Sequence, residues 1–300
     1  MLEFFGLSEY GNGRYGFIRK PDGAWSWQHI VIVSVFMVAM FALAIFFGLR
    51  DKQKSEQQKN KVLIISALLM DGFELVKIVV LCIREQQPLQ WLCNLPLFLC
   101  SIQLIAIPMA AFCKGRLKEA CLDFVLIFGI LGAVFGTVGA TQIYNENPAF
   151  SMDSIFSAIT HSISGFASLY IGISGMKSVK MKNLPITLSV LVGFSILAYV
   201  ANITVPHIMN SAIGDTKYSI GYPNYMFLLH DSGTPYSIFY NMVGGNPVLY
   251  PLIVVGIFVL YLVGYYFVDG WIEQRKQAAA VEVVEPVAES ETVIEEDKAA

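Results

Sequence analysis

Charge is scarce in this sequence. Of 300 residues only 14% are Asp, Glu, Lys or Arg, against 55% hydrophobic residues and a mean hydropathy of +0.58. One soluble core does not need that much apolar material, which argues against a water-soluble enzyme. Basic residues number 20 against 23 acidic, for a net charge of -3, and they sit in short clusters between apolar runs. No basic face is left for nucleic acid, so no nucleic-acid partner is expected. The five cysteines are an odd number, scattered without ligand spacing, which excludes a disulfide-rich scaffold and a zinc site. With no phosphate-cradling glycine loop and no His/Cys cluster, the sequence leads us to expect no metal and no cofactor. The start, Met1-Leu2-Glu3-Phe4-Phe5, has no basic stretch ahead of an apolar core, so the first apolar run is expected to stay in the mature protein. An internal repeat of the kind that builds inverted transporter halves is also missing.

What the chain has is long apolar runs. A bilayer core of about 30 Å needs roughly 20 residues of helix, because lipid offers unpaired backbone groups no partner. Seven segments reach that length: 28–49, 62–83, 92–112, 120–140, 154–176, 184–204 and 248–270. The fold class expected is therefore all-α, a polytopic bundle of seven transmembrane helices in the cell membrane. Lys and Arg concentrate in 50–61, 113–119, 177–183 and 271–276, thirteen in all, against five (Arg14, Arg19, Lys20, Arg84 and Lys217) in 1–27, 84–91, 141–153 and 205–247. Positive residues stay in the cytoplasm, so the N-terminus is expected outside and the C-terminus inside. Trp25, Trp27, Trp91 and Trp271 fall at span ends, where an indole buries its ring and keeps its N–H wet. The aromatic segment 205–247, with Tyr218, Tyr222, Tyr225, Phe227, Tyr236, Phe239 and Tyr240, is expected to fold back as a lid. The tail 271–300 turns acidic, with seven acids between Glu282 and Asp297, and is expected to be a disordered cytoplasmic spacer or partner-binding segment.

Several polar residues lie where lipid forbids them. The second span reads LMDGFELVKIVV and puts Asp71, Glu74 and Lys77 on one face at spacings of three. Such groups are functional candidates, although a Glu74–Lys77 ion pair that only fixes packing is the plain alternative. The third span carries Cys93, Asn94, Pro96, Cys100, Ser101 and Gln103 in its outer half, and Cys82 with Cys93 flanks a short loop where a disulfide would remove Cys93 as a nucleophile. In the fifth span, His161 lies between Thr160 and Ser162, with hydroxyl partners at hand. At 1.5 Å of rise per residue, His161 lies about 11 Å below the outer boundary, Cys100 about 12 Å, Glu74 about 13 Å and Lys77 about 9 Å. Residues of three spans thus meet at one level. His29, His207 and His230 also lie on the outer half, which suggests a cavity opening outward. Gly129, Gly132, Gly136 and Gly139 form a small-residue stripe on the fourth span, read as a helix-packing face.

The chain resembles the YwaF-type integral membrane proteins, a family whose animal branch includes an acyltransferase acting on ether phospholipids. LPLFLCSIQ at 95–103, the glycine-rich span after it, HSISGFASLYIG at 161–172 and NYMFLLHDSG at 224–233 carry the resemblance, over roughly 27–270. It implies a membrane cysteine as acyl acceptor, here Cys100 or the less well placed Cys93, with His161 as base. Relatives commonly have a histidine in an LPLHLC motif where this chain has Phe98, so one proton-handling group is missing beside the cysteine.

Three functions follow as expectations. The first is a lipid acyltransferase or acyl hydrolase with Cys100, His161, Glu74 and Cys93 as catalytic candidates. Asp71, Lys77, Asn94, Ser101, Gln103, His29, Asn224, Tyr225 and His230 would line its substrate path, Asn94 or Ser101 serving as oxyanion donor. The second is a transporter built on Asp71, Glu74 and Lys77, and the third a scaffold whose acidic tail recruits a cytoplasmic partner. In each case membrane lipids are partners.

Overall fold

The computed structural model describes residues 1–9, 11, 13–177, 179–213, 222–231 and 234–299, with side chains as far as 277 except at 212 and 213. The architecture is all-helical apart from one small hairpin. A short helix α1 (Leu2–Phe5) and two antiparallel strands, β1 (Ser8–Glu9) and β2 (Tyr15–Gly16), precede the bundle. Then come α2 (Trp27–Asp51), α3 (Glu56–Arg84), α4 (Gln103–Phe112), α5 (Gly115–Thr137), α6 (Thr141–Glu146), α7 (Met152–Ile173), α8 (Leu184–Ile213), α9 (Ser237–Met242) and α10 (Leu249–Ala299). The acidic tail beyond 277 lies outside the residues whose side chains are described.

Local signals explain where the long helices begin. Ser26 caps α2 by accepting the His29 N–H, and Ser151 caps α7 by accepting the Ser154 N–H. Ser55 and Gln58 form a reciprocal capping box at the start of α3. Among the described residues, five helical segments are long and apolar enough to cross a membrane: Trp27–Asp51, Gly115–Glu146, Met152–Ile173, Met181–Ser211 and Leu249–Gln277. With 29 residues α3 is as long as these, but it carries Asp71, Glu74 and Lys77 in mid-course. All four tryptophans are more than 40% exposed; Trp25 and Trp27 lie at the start of α2 and Trp91 in the Gln90–Asn94 turn, while Trp271 lies inside α10 and not at a helix end.

The expected continuous helix over 92–112 does not form. A 3-10 turn covers Gln90–Asn94, residues 95–102 are irregular, and α4 begins only at Gln103. Pro96 is the cause. Its ring disfavours helical backbone at the preceding residue, and Leu95 is extended at φ -63°, ψ 147°. Ser101 then closes a local loop, accepting the Phe98 N–H at 3.0 Å and donating to the Phe98 carbonyl at 3.1 Å. Non-helical backbone at membrane depth is tolerated where protein buries it or where it lines a cavity, and this stretch does line one.

The best-buried helix is α5, packed closely against α7 through small residues. Ser168 donates to the Leu126 carbonyl at 2.7 Å and Ser164 to the Gly129 carbonyl at 3.3 Å; a Cβ on Gly129 would come within 2.8 Å of Ser168 Cβ. The main core joins α3, α4, α5, α7, α8 and α10 around Phe124, Phe128 and Tyr170. At one end of the bundle Asp51, almost wholly buried, accepts from Arg50, Lys54 and the Tyr170 hydroxyl. At the other end Arg84 pairs with Asp153 at 2.7 Å, and the N-terminal hairpin docks beside it. Of the segment 205–247, residues 205–213 continue α8, and Tyr225 further on bonds to the 92–95 turn; residues 214–221, Tyr218 among them, and 232–233 lie outside the described residues.

Candidate functional site

A cavity of about 610 Å³ lies among α3, the irregular stretch 95–102, α5, α7 and residues 226–227 and 234–236. Seven of the catalytic and substrate-path candidates line it: Glu74, Lys77, Cys93, Asn94, Cys100, Ser101 and His161. Around them the walls are mostly apolar, from Leu99, Leu131, Phe135, Phe258 and others.

His161 stands one turn beyond Ser157 on α7. Its Nδ1 lies 2.7 Å from the Ser157 carbonyl and 3.3 Å from the Ser157 hydroxyl. A carbonyl only accepts, so in the neutral ring Nδ1 carries the proton and Nε2 keeps its lone pair. That nitrogen lies against Gly136 of α5, where an added Cβ would fall on the imidazole edge. Cys100 and His161 line the same cavity and stand beside Gly132 and Gly136, one helical turn apart on α5. Cys100 stands just ahead of α4, which begins at Gln103. Helix N-termini favour negative charge at that position, and a thiolate is the form of cysteine that attacks carbonyl carbon. Gly132 leaves room for this turn, since a Cβ there would meet Cys100 Cα and Cβ at 3.2 Å.

Glu74 and Lys77 form an ion pair on the α3 wall, with Nζ 2.7 Å and 2.8 Å from the two carboxylate oxygens. Each charge has its counter-charge within the cavity, the arrangement that lowers the cost of keeping both in an apolar setting. All five cysteines are free, so Cys82 and Cys93 are not bridged and Cys93 remains a thiol on the cavity wall.

Other nominated residues are placed differently. Asp71 and Gln103 do not line the cavity; Gln103 is wholly buried with both side-chain polar atoms unpartnered, and Asp71 Oδ1 is likewise buried without a partner. His29 packs beneath the N-terminal segment, its Nδ1 accepting the Trp25 N–H at 3.0 Å and its ring stacked on Tyr144 at 3.9 Å. Asn224 closes a turn, donating to the His230 carbonyl at 2.7 Å and accepting the Leu229 N–H at 2.9 Å. Tyr225 is buried behind the cavity wall, and burial pushes its phenol up, so it stays protonated and donates to the Leu92 carbonyl at 2.5 Å. The two side chains expected as oxyanion donors both bond nearby backbone: Ser101 closes the Phe98 loop, and Asn94 donates to the Gln90 carbonyl at 3.1 Å.

Sequence reading did not nominate Ser157, Gly132 or Gly136. Ser157 was recognisable as the residue four before His161, one helical turn away. The glycines read as helix packing, which holds at Gly129, while Gly132 and Gly136 face the cysteine and the histidine instead.

A family model described as the TMEM164 family matches residues 24–268. The chain belongs to the TMEM164 family. No curated protein and no solved structure matches it. The TMEM164 match runs from just before α2 to the part of α10 that packs on the bundle, so it takes in every wall of the cavity. Membership and the apolar helices together make this an integral, multi-pass membrane protein in contact with lipid.

Proposed function

We propose that the protein is a membrane-embedded lipid acyltransferase or acyl hydrolase that carries the acyl group on Cys100. The observation that supports this most is the His161 tautomer, which the Ser157 carbonyl sets with Nε2 unprotonated beside the cavity that holds Cys100. In the first step the Cys100 thiol gives its proton to His161 Nε2 and the sulfur attacks the ester carbonyl of a phospholipid. The carbonyl oxygen becomes an oxyanion near the Cys100 and Ser101 N–H groups. The C–O bond then breaks, the leaving alkoxide takes the proton from His161, and a thioester remains on Cys100. A second hydroxyl, from a lysolipid or water, loses its proton to His161 and attacks the thioester, and the proton returns to the departing thiolate.

The kinship with YwaF-type proteins, and through them with the ether-phospholipid acyltransferase branch, is part of this proposal. So is a seven-crossing path through the cell membrane with the N-terminus outside, in which 92–112 crosses as a broken segment. Phe98 takes the place of the histidine common in relatives and packs against Tyr225 and Phe227 at 5.3 Å and 5.7 Å, which leaves His161 as the base. A transport site on α3 has less support, because Glu74 and Lys77 already satisfy each other.

Purified protein in detergent, treated with a phospholipid-like ester probe, tests the reading by mass spectrometry of the modified residue. Labelling at Cys100 that disappears in Cys100→Ala, persists in Cys93→Ala and falls at least about 10²-fold in His161→Ala is the expected result. Labelling that survives Cys100→Ala would end the proposal.

A further inference from the structure

The nucleophile stands on a stretch of chain with no helical ladder to hold it, so something else must fix its position. Tyr225 is wholly buried, and its hydroxyl meets both ends of the turn ahead of Pro96: it donates to the Leu92 carbonyl at 2.5 Å and accepts the Leu95 N–H at 3.0 Å. Tyr225 is in turn held by Asn202 of α8, itself only 1% exposed. The Asn202 amide grips the Tyr225 backbone from both sides, Oδ1 accepting the N–H at 2.7 Å and Nδ2 donating to the carbonyl at 3.0 Å. Met226 and Phe227, the next two residues, sit at φ 53° and 57°, left-handed backbone that ordinary side chains rarely adopt, and both line the cavity. Consecutive residues in this region persist only where their surroundings over-determine them. The Tyr225 and Phe227 rings then pack on Phe98, two residues before Cys100. An unbroken set of contacts runs from α8 to the nucleophile's own loop.

We propose that Asn202 and Tyr225 are positioning residues that set where Cys100 stands opposite His161, an inference that rests on the acyl-transfer reading above. Neither residue touches the reacting atoms. Removing the phenol oxygen leaves the Leu92 carbonyl and Leu95 N–H without that partner and frees the 95–102 stretch to shift. A displacement of about 1 Å costs up to about 10²-fold in a reaction that depends on near-attack geometry. Among the described residues the ionisable groups that face the Cys100–His161 pair are Glu74 and Lys77 of α3, Cys93 and Tyr236, while α5 presents Leu131, Phe135 and glycines there and α7 serine and threonine.

The test follows alkylation of Cys100 by iodoacetamide against pH, resolved by site with mass spectrometry, in the full chain carrying Tyr225→Phe or, should that variant fail to fold, Asn202→Gln. Cys113, at the far end of α4, is the internal control. The expected result is Cys100 alkylation about tenfold slower, with a pH profile moved toward that of His161→Ala, an unchanged Cys113 rate and a melting temperature within a few degrees of wild type. A wild-type rate and profile at Cys100 would overturn the proposal, as would an equal change at Cys100 and Cys113. Alkylation needs no acyl transfer. If Cys100 never takes up an acyl group but its alkylation depends on both Tyr225 and His161, the acyl-transfer reading fails and the positioning role stands.

Discussion

The imidazole of His161 has no slack on either side, since Ser157 holds Nδ1 and Gly136 lies against the Nε2 edge. A methyl group at position 136 cannot be added without moving the ring, so Gly136→Ala is expected to slow Cys100 alkylation by about 10²-fold through misplacement. Overpacking of this kind also costs about 1–3 kcal/mol, which should appear as a lowered melting temperature. Gly256, with nothing within 4 Å of an added Cβ, gives the control: Gly256→Ala should leave both readings near wild type. At this scale the sequence was informative about chemistry and silent about support. Cys100, His161, Glu74 and Lys77 stand out because ionisable or nucleophilic groups in lipid are rare. Gly136 and Asn202 do not, because a glycine in an apolar helix is commonplace and an amide on one span shows nothing of its partner on a distant loop.

Among the elements, the long apolar runs were legible and the break at Pro96 was not. Hydropathy counts the apolar residues of 92–112 and is blind to the extended geometry imposed on Leu95, which turns one membrane-length run into a turn, an irregular stretch and the ten-residue α4. The N-terminal hairpin was equally hidden, because one carboxylate of α1 ties down the backbone that leaves it. Glu3 accepts the Arg19 N–H at 2.8 Å and the Ile18 N–H at 3.2 Å, and the Arg19 backbone bond is the main reason its carboxyl lies below the usual 4.5. A depressed carboxyl stabilises the folded form above its ordinary value and loses that contribution as pH falls through the lowered one. Protection of the Ile18 and Arg19 amides from hydrogen exchange should therefore be full at neutral pH and weaken below about pH 4.5, selectively over amides within α5. Glu3→Gln should show weakened protection at neutral pH too; protection equal to wild type across the range would show that the carboxylate does not hold the hairpin.

For the whole molecule, the proposed path puts the hairpin and the cytoplasmic basic clusters on opposite faces of the membrane. A membrane-impermeant maleimide applied to intact cells should label Lys20→Cys and spare Lys52→Cys, with both labelled once the cells are opened; the reverse pattern would invert the orientation. One consequence concerns how such a chain enters the bilayer in the first place. A charged residue near the centre of a span costs about 2.5–3.5 kcal/mol on insertion, and α3 carries Asp71, Glu74 and Lys77. The Glu74–Lys77 pair relieves part of that burden within the helix itself. Arg84 and Phe73 find Asp153 and Phe156 on α7. If α3 crosses the membrane as the proposed path has it, it leaves the ribosome poorly suited to lipid and gains these contacts only when α7 emerges, so insertion is expected to join early and late helices rather than run span by span.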